Sequence, residues 1–351
     1  MITRGNETEG REMGKRRREA ESEQEGMNGG VRNGEKKKKK RKGKKFDKPT
    51  VSIAVAGSII DNAQSHDLAT RLAGQIARAA TIFRIDEVVV FDNKGSSSQN
   101  FGVMETEDMD RNDSGATFLV RILNYLETPQ YLRRSLFPKH NDLRFVGLLP
   151  PLDAPHHLRK HEWAPYREGV TLNERPSNSS GTLVDVGLSK NVAVEEVMEP
   201  DLRVTVAMGT ARHLESDSML RVVSSSEPKE MGLYWGYKVR YAPDISSVFK
   251  DCLYEGGYDH TIGTSEHGVI IDSSELMMPT FRHLLIAFGG LAGLEESFEE
   301  DSTLKGKDVR DVFSSYMNTC PHQGSRTIRT EEAILISLQY FQEPIKRSLQ
   351  R

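Results

Sequence analysis

The sequence predicts an α/β protein with a parallel sheet, a small inserted β-barrel and a disordered basic tail. The sheet is indicated by apolar strands that alternate with amphipathic helices over residues 49–169 and again over 241–345. Residues 170–240 instead contain short strand-like runs separated by turn residues, without a convincing amphipathic helix, which favours an inserted barrel. Residues 1–48 are too densely charged to form a core.

The first part of the α/β unit begins with a strand at Val51, Ile53 and Val55, whose apolar residues alternate with small ones. The elements expected after it are a helix over 65–83, a central strand at 87–91, a loop at 94–115, a helix around 119–126 and a strand at 145–149. In the second part we expect helices at 245–253, 309–316 and 330–341, and strands at 260–263 and 284–288. The barrel strands are expected at 181–186, 191–194, 202–208 and 235–241.

Charge is divided unevenly along the 351 residues, whose formal net charge is −3. The tail holds 17 of the 48 Lys and Arg residues and 9 of the 51 Asp and Glu residues, so it carries +8 and the rest of the chain −11. Residues 36–45 alone contain nine basic residues in ten. Such a segment suits nuclear import and nucleolar retention, or sequence-independent binding to RNA phosphates, or a solvated tail without a partner. Nuclear import and RNA binding are the favoured interpretations, and together they predict a nuclear protein that works near RNA.

Several other classes of protein are excluded. No apolar run reaches the roughly 18 residues of a membrane span, and the N-terminus lacks a signal-peptide stretch. Cys252 and Cys320 are the only cysteines, so neither a disulfide framework nor a zinc ribbon is expected. Three histidines near Asp153 have metal-like spacing but lack a second carboxylate, so we expect no metal. The sequence also lacks a dinucleotide fingerprint in its first βαβ unit and a phosphate loop.

Three segments have the composition of a binding site, and each also has a simpler explanation. The glycines of residues 289–293 follow a strand, where a ligand can approach the backbone, although such turns also serve packing. The polar loop 318–329 precedes a helix that Thr330 is expected to cap, and it is either a binding loop or an exposed connection. Arg71, Gln75 and Arg78 form a polar helical stripe, which is either a solvated face or a functional one.

Taken together, these segments resemble the SPOUT class of RNA methyltransferases, whose sheet ends in a deep trefoil knot. Residues 72–90 (LAGQIARAATIFRIDEVVV) resemble the first motif of the ribose-methylating branch, 285–295 (LIAFGGLAGLE) the second and 318–336 the third. Residues 57–64 with 318–333 resemble in particular the eukaryotic and archaeal subfamily that carries an inserted OB-like barrel. The resemblance covers about residues 49–345.

The resemblance implies that S-adenosylmethionine is the methyl donor and lies bent among the knot loops. It also implies a homodimer in which the partner completes each site, and a catalytic role for Arg78 as a cation near the acceptor. The donor-binding residues that we expect are Gly263, Thr264, Ser265, Gly289, Gly290, Leu291, Asn318, Thr319, Cys320, Gln323, Gly324, Ser325, Thr327, Ile328 and Thr330.

The acceptor is expected to be structural RNA, in particular ribosomal RNA. The third motif reads Ser-Arg-Thr-Ile-Arg from Ser325, where the ribose branch has Ser-Leu-Asn, and this departure favours a base nitrogen such as uridine N3 over a ribose 2′-hydroxyl. RNA contacts are expected from Arg71, Arg326, Lys238 and Arg240, with aromatic residues at 234–237 either stacking on bases or filling the barrel core. The alternative class is a non-catalytic RNA- or ribonucleoprotein-binding scaffold that keeps the knot.

Overall fold

A computed structural model of the chain describes residues 48–92, 114–174, 181–210 and 219–350. Nearly all of the predicted tail and most of the predicted 94–115 loop therefore lie outside the described residues. Within the described residues, no helix has both the length and the apolar character that crossing a membrane requires.

Eleven strands and eight helices follow one another in these residues. The strands are β1 Thr50–Ala56, β2 Glu87–Phe91, β3 Tyr166–Thr171, β4 Thr182–Asp185, β5 Val192–Val194, β6 Arg203–Ala207, β7 Met219–Val223, β8 Lys238–Ala242, β9 His260–Val269, β10 His283–Phe288 and β11 Ser315–Met317. The helices are α1 His66–Ile82, α2 Gly115–Glu127, α3 Arg133–Leu136, α4 Ser226–Glu230, α5 Ile245–Lys250, α6 Gly293–Glu300, α7 Val309–Val312 and α8 Thr330–Leu349. Two 3₁₀ segments lie at Gly57–Ile59 and Asn141–Leu148.

Six parallel strands form one sheet in the order β11-β9-β10-β1-β2-β8. The central strands β1, β2 and β10 are almost wholly apolar and buried, as expected of parallel strands that are covered on both faces. Helix α1 joins β1 to β2 and buries Leu72, Ile76 and Ala80, which recur at helical spacing. The predicted βαβ unit is therefore confirmed.

A closed barrel of five strands, in the order β3-β4-β5-β7-β6, interrupts the sheet in sequence. Its interior is filled mainly by valines, and outward-facing residues alternate with them along the strands. The interior valines are Val184, Val186, Val192, Val194, Val204 and Val206. The predicted inserted barrel is confirmed. Its strands run from Tyr166 to Val223, however, which differs from the expected limits of 170 and 240.

Buried polar groups connect the barrel to the sheet unit. Arg203 of β6 donates to Glu127 at the end of α2, at 2.6 Å, and to Glu168 of β3, at 2.7 Å. His156 and His157 both bond through Nε2 to the Glu127 carbonyl oxygen, at 2.9 and 2.7 Å. Because that oxygen only accepts, each Nε2 carries a hydrogen. Two of the three histidines with metal-like spacing thus hold the segment that precedes β3 against the end of α2.

Three predicted elements are wrong. Residues 145–149 lie in a 3₁₀ segment and its end instead of forming a strand. The predicted helix over 309–316 ends at Val312, and the chain turns into strand β11 at Ser315. The strand predicted at 235–241 for the barrel is β8, which pairs in parallel with β2 and so forms the edge of the large sheet. Apolar runs of this length do not by themselves reveal which sheet they join.

Candidate active site

The carboxyl ends of three neighbouring parallel strands converge at one edge of the sheet. Strands β11, β9 and β10 lie side by side, and each is followed by a segment rich in glycine or small polar residues. These segments are the continuation of β9 beyond Thr264, the glycine loop after Phe288 and the loop that leaves β11 at Asn318. Ligands of open parallel sheets bind at this kind of position.

The three segments and the first turns of α8 enclose a cavity of about 370 Å³, which we call the donor cavity. Its volume lies within the range of small-molecule and cofactor sites. The residues that line it are Thr264, Ser265, Glu266, His267, Phe288, Gly289, Gly290, Leu291, Ala292, Gly293, Glu295, Asn318, Thr319, Cys320, Gln323, Thr327, Ile328, Thr330, Ala333, Ile336 and Ser337.

Two glycines shape the loop at the end of β10. A Cβ atom on Gly289 would lie 2.2 Å from the carbonyl carbon of Gly293, so only a residue without a side chain fits there. Gly293 itself has a φ of +84°, in the left-handed region, and it begins helix α6. The backbone of residues 289–293 is thus folded closely on itself, and its peptide groups border the cavity.

Carboxylates give the donor cavity an acidic side. Glu295, on the first turn of α6, accepts a hydrogen bond of 2.6 Å from the hydroxyl of Tyr316. Burial and this bond raise the pKa of Tyr316 well above its ordinary value, so the hydroxyl stays a donor. Glu266 contributes a second carboxylate to the lining, and its backbone carbonyl accepts from Asn318 at 2.9 Å. A ligand with positive charge would therefore find favourable electrostatics.

The start of α8 is tied to the other walls of the donor cavity. The hydroxyl of Thr330 donates to the Gly289 carbonyl oxygen at 3.1 Å, and Thr319 and Ser337 share a bond of 2.7 Å between their hydroxyls. Thr330 was expected to cap the helix, but the cap position is Arg329, whose backbone nitrogen donates to Glu332 at 3.0 Å. Thr330 was therefore wrongly predicted as the cap, because its hydroxyl is used across the cavity instead.

Most of the predicted donor-binding residues line this one cavity. The exceptions are Gly263, Gly324 and Ser325. Gly263 lies within β9, where a Cβ atom would approach the ring of Tyr316 to 2.8 Å, so its small size serves packing. Gly324 and Ser325 lie in an exposed part of the loop, and Gly324 has open space around the position of a Cβ atom.

Sequence reasoning missed part of the cavity wall. Helix α8 contributes Ala333 and Ser337 as well as Thr330, which are the positions i, i+3 and i+7 of one helix face. With Thr330 as a predicted binding residue, the same helical spacing would also have predicted Ala333 and Ser337. Glu295 stood in the second motif but was not predicted to bind, and the contribution of Glu266 depends on how far β9 continues, which the sequence pattern does not reveal.

Arg78 does not line the donor cavity of its own chain. Its guanidinium donates from Nη1 to the backbone carbonyl oxygens of Pro151 and Leu152, at 3.2 and 2.8 Å. Two helical turns earlier on α1, Arg71 is exposed and borders a different cavity. Arg326 is exposed on the loop that precedes α8.

The predicted RNA contacts on the barrel are placed differently. Lys238 is exposed at the start of β8, but the guanidinium of Arg240 is held by the buried Glu87 carboxylate at 2.9 Å and by the Tyr258 hydroxyl at 3.1 Å. Arg240 is therefore engaged inside the sheet unit, which contradicts its predicted role as a barrel RNA contact. The aromatic residues at 234, 235 and 237 are all buried, so they fill the interior instead of offering a stacking face.

Among the described residues, no cluster of three metal-ligating side chains is present. The donor cavity is instead lined by backbone groups, hydroxyls, amides and carboxylates. Such a lining suits an organic ligand that has hydrogen-bonding groups and positive charge.

Comparison with known proteins identifies the family of the chain. A family model described as "Putative RNA methyltransferase" matches residues 50–341. A Homo sapiens protein named "28S rRNA (uridine-N(3))-methyltransferase" is 48% identical over 84% of this chain and 78% of its own length. Proteins with the same name from Mus musculus and Drosophila melanogaster are 49% and 45% identical, over 84% and 86% of this chain and 76% and 64% of their own lengths. The chain therefore belongs to this SPOUT-class family of RNA methyltransferases.

Proposed function

We propose that the protein uses S-adenosylmethionine to methylate N3 of a uridine in ribosomal RNA of the large subunit. The observation that carries the proposal is the donor cavity, built from the same three segments that resemble the family motifs. The names of the human, mouse and fly relatives support the acceptor atom and the RNA.

The residues present fit S-adenosylmethionine. The cavity volume suits a nucleoside with an amino-acid chain, and the backbone near Gly289 can approach a flat ring closely. The carboxylates of Glu266 and Glu295 match the positive charges of the sulfonium and the α-ammonium group. When bound, this cofactor supplies an electrophilic methyl group.

The protein has two tasks beyond holding the donor. It must place the uridine N3 in line with the methyl group at about 3 Å, and it must favour the deprotonated imide, whose N3 lone pair is the nucleophile. A cation stabilises that anion, and we assign this role to Arg78. Because Arg78 lies at Pro151 and Leu152 and not in its own donor cavity, we propose that a homodimer brings it to the site of the other copy.

We further propose that the loop 318–329 threads a trefoil knot. The course of the chain supports this: it leaves β11 at the sheet edge, passes the ends of β9 and β10, and enters α8, which packs against α1. We also propose that the basic residues of segment 1–48 direct the protein to the nucleus, and to the nucleolus within it, and add sequence-independent affinity for RNA. Arg71, Arg326 and Lys238 remain the proposed RNA contacts of the folded part.

The first test is calorimetry of the full chain with S-adenosylmethionine. We expect the wild-type protein to bind S-adenosylmethionine and Gly290→Trp to lose this binding, because the indole would occupy the donor cavity. No binding by the wild-type protein, and equal behaviour of both forms, would favour a non-catalytic scaffold that keeps the fold.

The second test identifies the acceptor atom. Large-subunit RNA from cells that lack the protein is incubated with enzyme and donor, and reverse transcription is used to read the product. An N3-methyl group blocks the pairing edge of uridine and stops the polymerase, whereas a 2′-O-methyl group leaves that edge free. A new stop with wild type but not with Arg78→Ala is expected; methyl incorporation without any stop would refute the N3 assignment.

A further inference from the structure

A second cavity, of about 460 Å³, lies beside the first turn of α8. It opens between the chain after β1, the N-terminal half of α1 and the start of α8, and none of its lining residues borders the donor cavity. The polar side chains in its wall include Asn62, Gln64, Arg71, Gln75 and Glu332. Because three of them are carboxamides, we call it the amide cavity.

The carboxamides of the amide cavity are available to a ligand. Asn62, Gln64 and Gln75 are all exposed, and the amide of Asn62 donates only a long hydrogen bond of 3.5 Å to the Ser58 carbonyl oxygen. Each carboxamide offers a carbonyl acceptor beside an NH₂ donor, the pattern that reads the hydrogen-bonding edge of a nucleobase.

Charges in the wall complete the chemistry of a nucleotide site. The guanidinium of Arg329 is held by the Glu331 carboxylate at 2.7 Å, so this pair is largely neutral. Arg71, exposed on α1, then supplies a cation that suits a phosphate group. Proteins read single-stranded RNA through unstacked bases whose edges form hydrogen bonds with side chains, and the carboxamides of this cavity offer such bonds.

Helix α8 sets the position of the amide cavity relative to the chemistry. Thr330, Ala333 and Ser337 face the donor cavity, whereas Glu331 and Glu332 face the amide cavity. The two cavities therefore lie on different faces at the start of one helix and share no lining residue, so each would take a different nucleotide. A strand that presents one base to the donor cavity can place a neighbouring nucleotide in the amide cavity by passing over the end of the helix.

We propose that the amide cavity binds an RNA nucleotide that flanks the methylated one and so contributes to the choice of target. The proposal rests on the proposed function, because a flanking nucleotide presupposes a target in the donor cavity. It adds a site for a single nucleotide at residues 62–75 of the chain, outside the barrel and outside the donor cavity.

Photo-crosslinking tests the site without knowledge of the natural RNA. The full chain, saturated with S-adenosylhomocysteine, is irradiated with a random-sequence single-stranded RNA pool that contains 4-thiouridine, and crosslinked peptides are mapped. Crosslinks within residues 62–75 or 329–332 are expected, and Gln64→Ala/Gln75→Ala should reduce them about tenfold through the lost hydrogen bonds. Crosslinks that map only elsewhere, or a yield that the variant leaves unchanged, would overturn the proposal.

Affinity measurements supply a matched control. Gln64→Ala/Gln75→Ala is expected to weaken binding of large-subunit RNA about tenfold, whereas Gln339→Ala/Gln342→Ala, on the exposed side of α8, is expected to leave it unchanged. The affinity for S-adenosylmethionine should be unchanged in both variants. If the wild-type protein itself does not bind S-adenosylmethionine, the proposed function is refuted independently of the amide cavity. Equal RNA affinity in both variants, or a changed monomer–dimer equilibrium in the first, would refute the amide cavity as a nucleotide site.

Discussion

The Oγ1 atom of Thr330 lies 3.1 Å from the carbonyl oxygen of Gly289 and donates a hydrogen bond to it. This bond joins the first residue of α8 to the glycine loop that ends β10, two segments separated by 41 residues of sequence. Both residues line the donor cavity. A wall of the cavity formed by α8 is thus joined directly to one formed by the glycine loop, although the two are distant in sequence.

Replacing Thr330 tests that contact directly. Thr330→Val keeps the size of the side chain but removes the hydroxyl that donates the hydrogen bond. We expect the affinity for S-adenosylmethionine to fall about fivefold, which corresponds to about 1 kcal/mol. Thr330→Ser retains the hydroxyl and should bind nearly as well as wild type. Calorimetry with S-adenosylmethionine measures both, and equal affinities of the two variants would show that the hydrogen bond has no role in binding.

Two glycines of the predicted donor site should respond differently to the same change. In Gly289→Ala the new methyl group would lie 2.2 Å from a backbone carbon, so the loop must shift and donor binding should fall at least about tenfold. In Gly324→Ala the methyl group meets open space, and binding should be within about twofold of wild type. A comparable loss in both variants would contradict this description of the cavity.

Glu295 is expected to recognise the positive charge of the donor. Glu295→Gln should weaken S-adenosylmethionine about tenfold while affecting S-adenosylhomocysteine, which lacks the sulfonium charge, distinctly less. The ratio of the two affinities is the relevant measurement, because a general loss of structure would lower both. If the ratio does not change, the carboxylate does not act on the sulfonium.

The stability of the barrel junction should depend on pH through Glu127. Burial opposes its ionisation, but hydrogen bonds and charge from His156 and Arg203 outweigh that cost and lower its pKa from 4.5 to about 2. The folded state therefore binds this proton less readily than the unfolded state. About 3 kcal/mol of stability, fully present above pH 4.5, should be lost as the pH falls toward 2.

His157 acts in the same direction over a higher range, because burial lowers its pKa from 6.5 to about 3. Its part of the stability begins to fall below pH 6.5, where the unfolded chain takes up the proton first. Urea unfolding at intervals from pH 7 to pH 3 measures both effects, and Glu127→Gln should flatten the lower part of the curve. An unaltered curve in this variant would assign the acid sensitivity to other groups.

Arg240 and Lys238 separate structural from RNA-binding roles on one strand. Arg240→Ala leaves the buried Glu87 carboxylate without its ion-pair partner, and we expect a loss of about 3 kcal/mol in unfolding free energy. Lys238→Ala should leave the unfolding midpoint unchanged but reduce RNA affinity and its dependence on salt. If instead Arg240→Ala binds RNA more weakly at full stability, its guanidinium reaches the RNA after all.

Local periodicity was enough to predict the first βαβ unit of the α/β part. The strand at Glu87–Phe91 and the helix at His66–Ile82 were predicted to within a residue. A short continuous apolar run is typical of a buried strand, and a 3.6-residue apolar period is typical of an amphipathic helix. The barrel was predicted as an insertion for the same reason. Strand β3 was missed, since the buried Arg167 and Glu168 interrupt its apolar pattern and are satisfied by partners distant in sequence.

The donor cavity could be predicted from the family resemblance more fully than from residue types alone. Gly289, Gly290 and both ends of the loop from Asn318 to Ile328 do lie in its wall, whereas Gly324 and Ser325 do not. The positions of Arg78 and Arg240 could not be predicted, because a guanidinium has the same sequence signal whether it meets RNA or a carbonyl oxygen of its own chain. Only the tertiary fold decides between these partners.

The return of the chain from the barrel into β8 puts Lys238, a proposed RNA contact, at the border of the sheet. Strand β8 forms one border of the sheet, and β10, which leads into the glycine loop, is three strands away. Neighbouring strands are about 4.8 Å apart, so an RNA bound by Lys238 as proposed would have to extend roughly 14 Å across the sheet to reach the donor cavity. The nucleotide that Lys238 contacts and the modified one would then be separated by a stretch of RNA whose length follows from the number of strands between them.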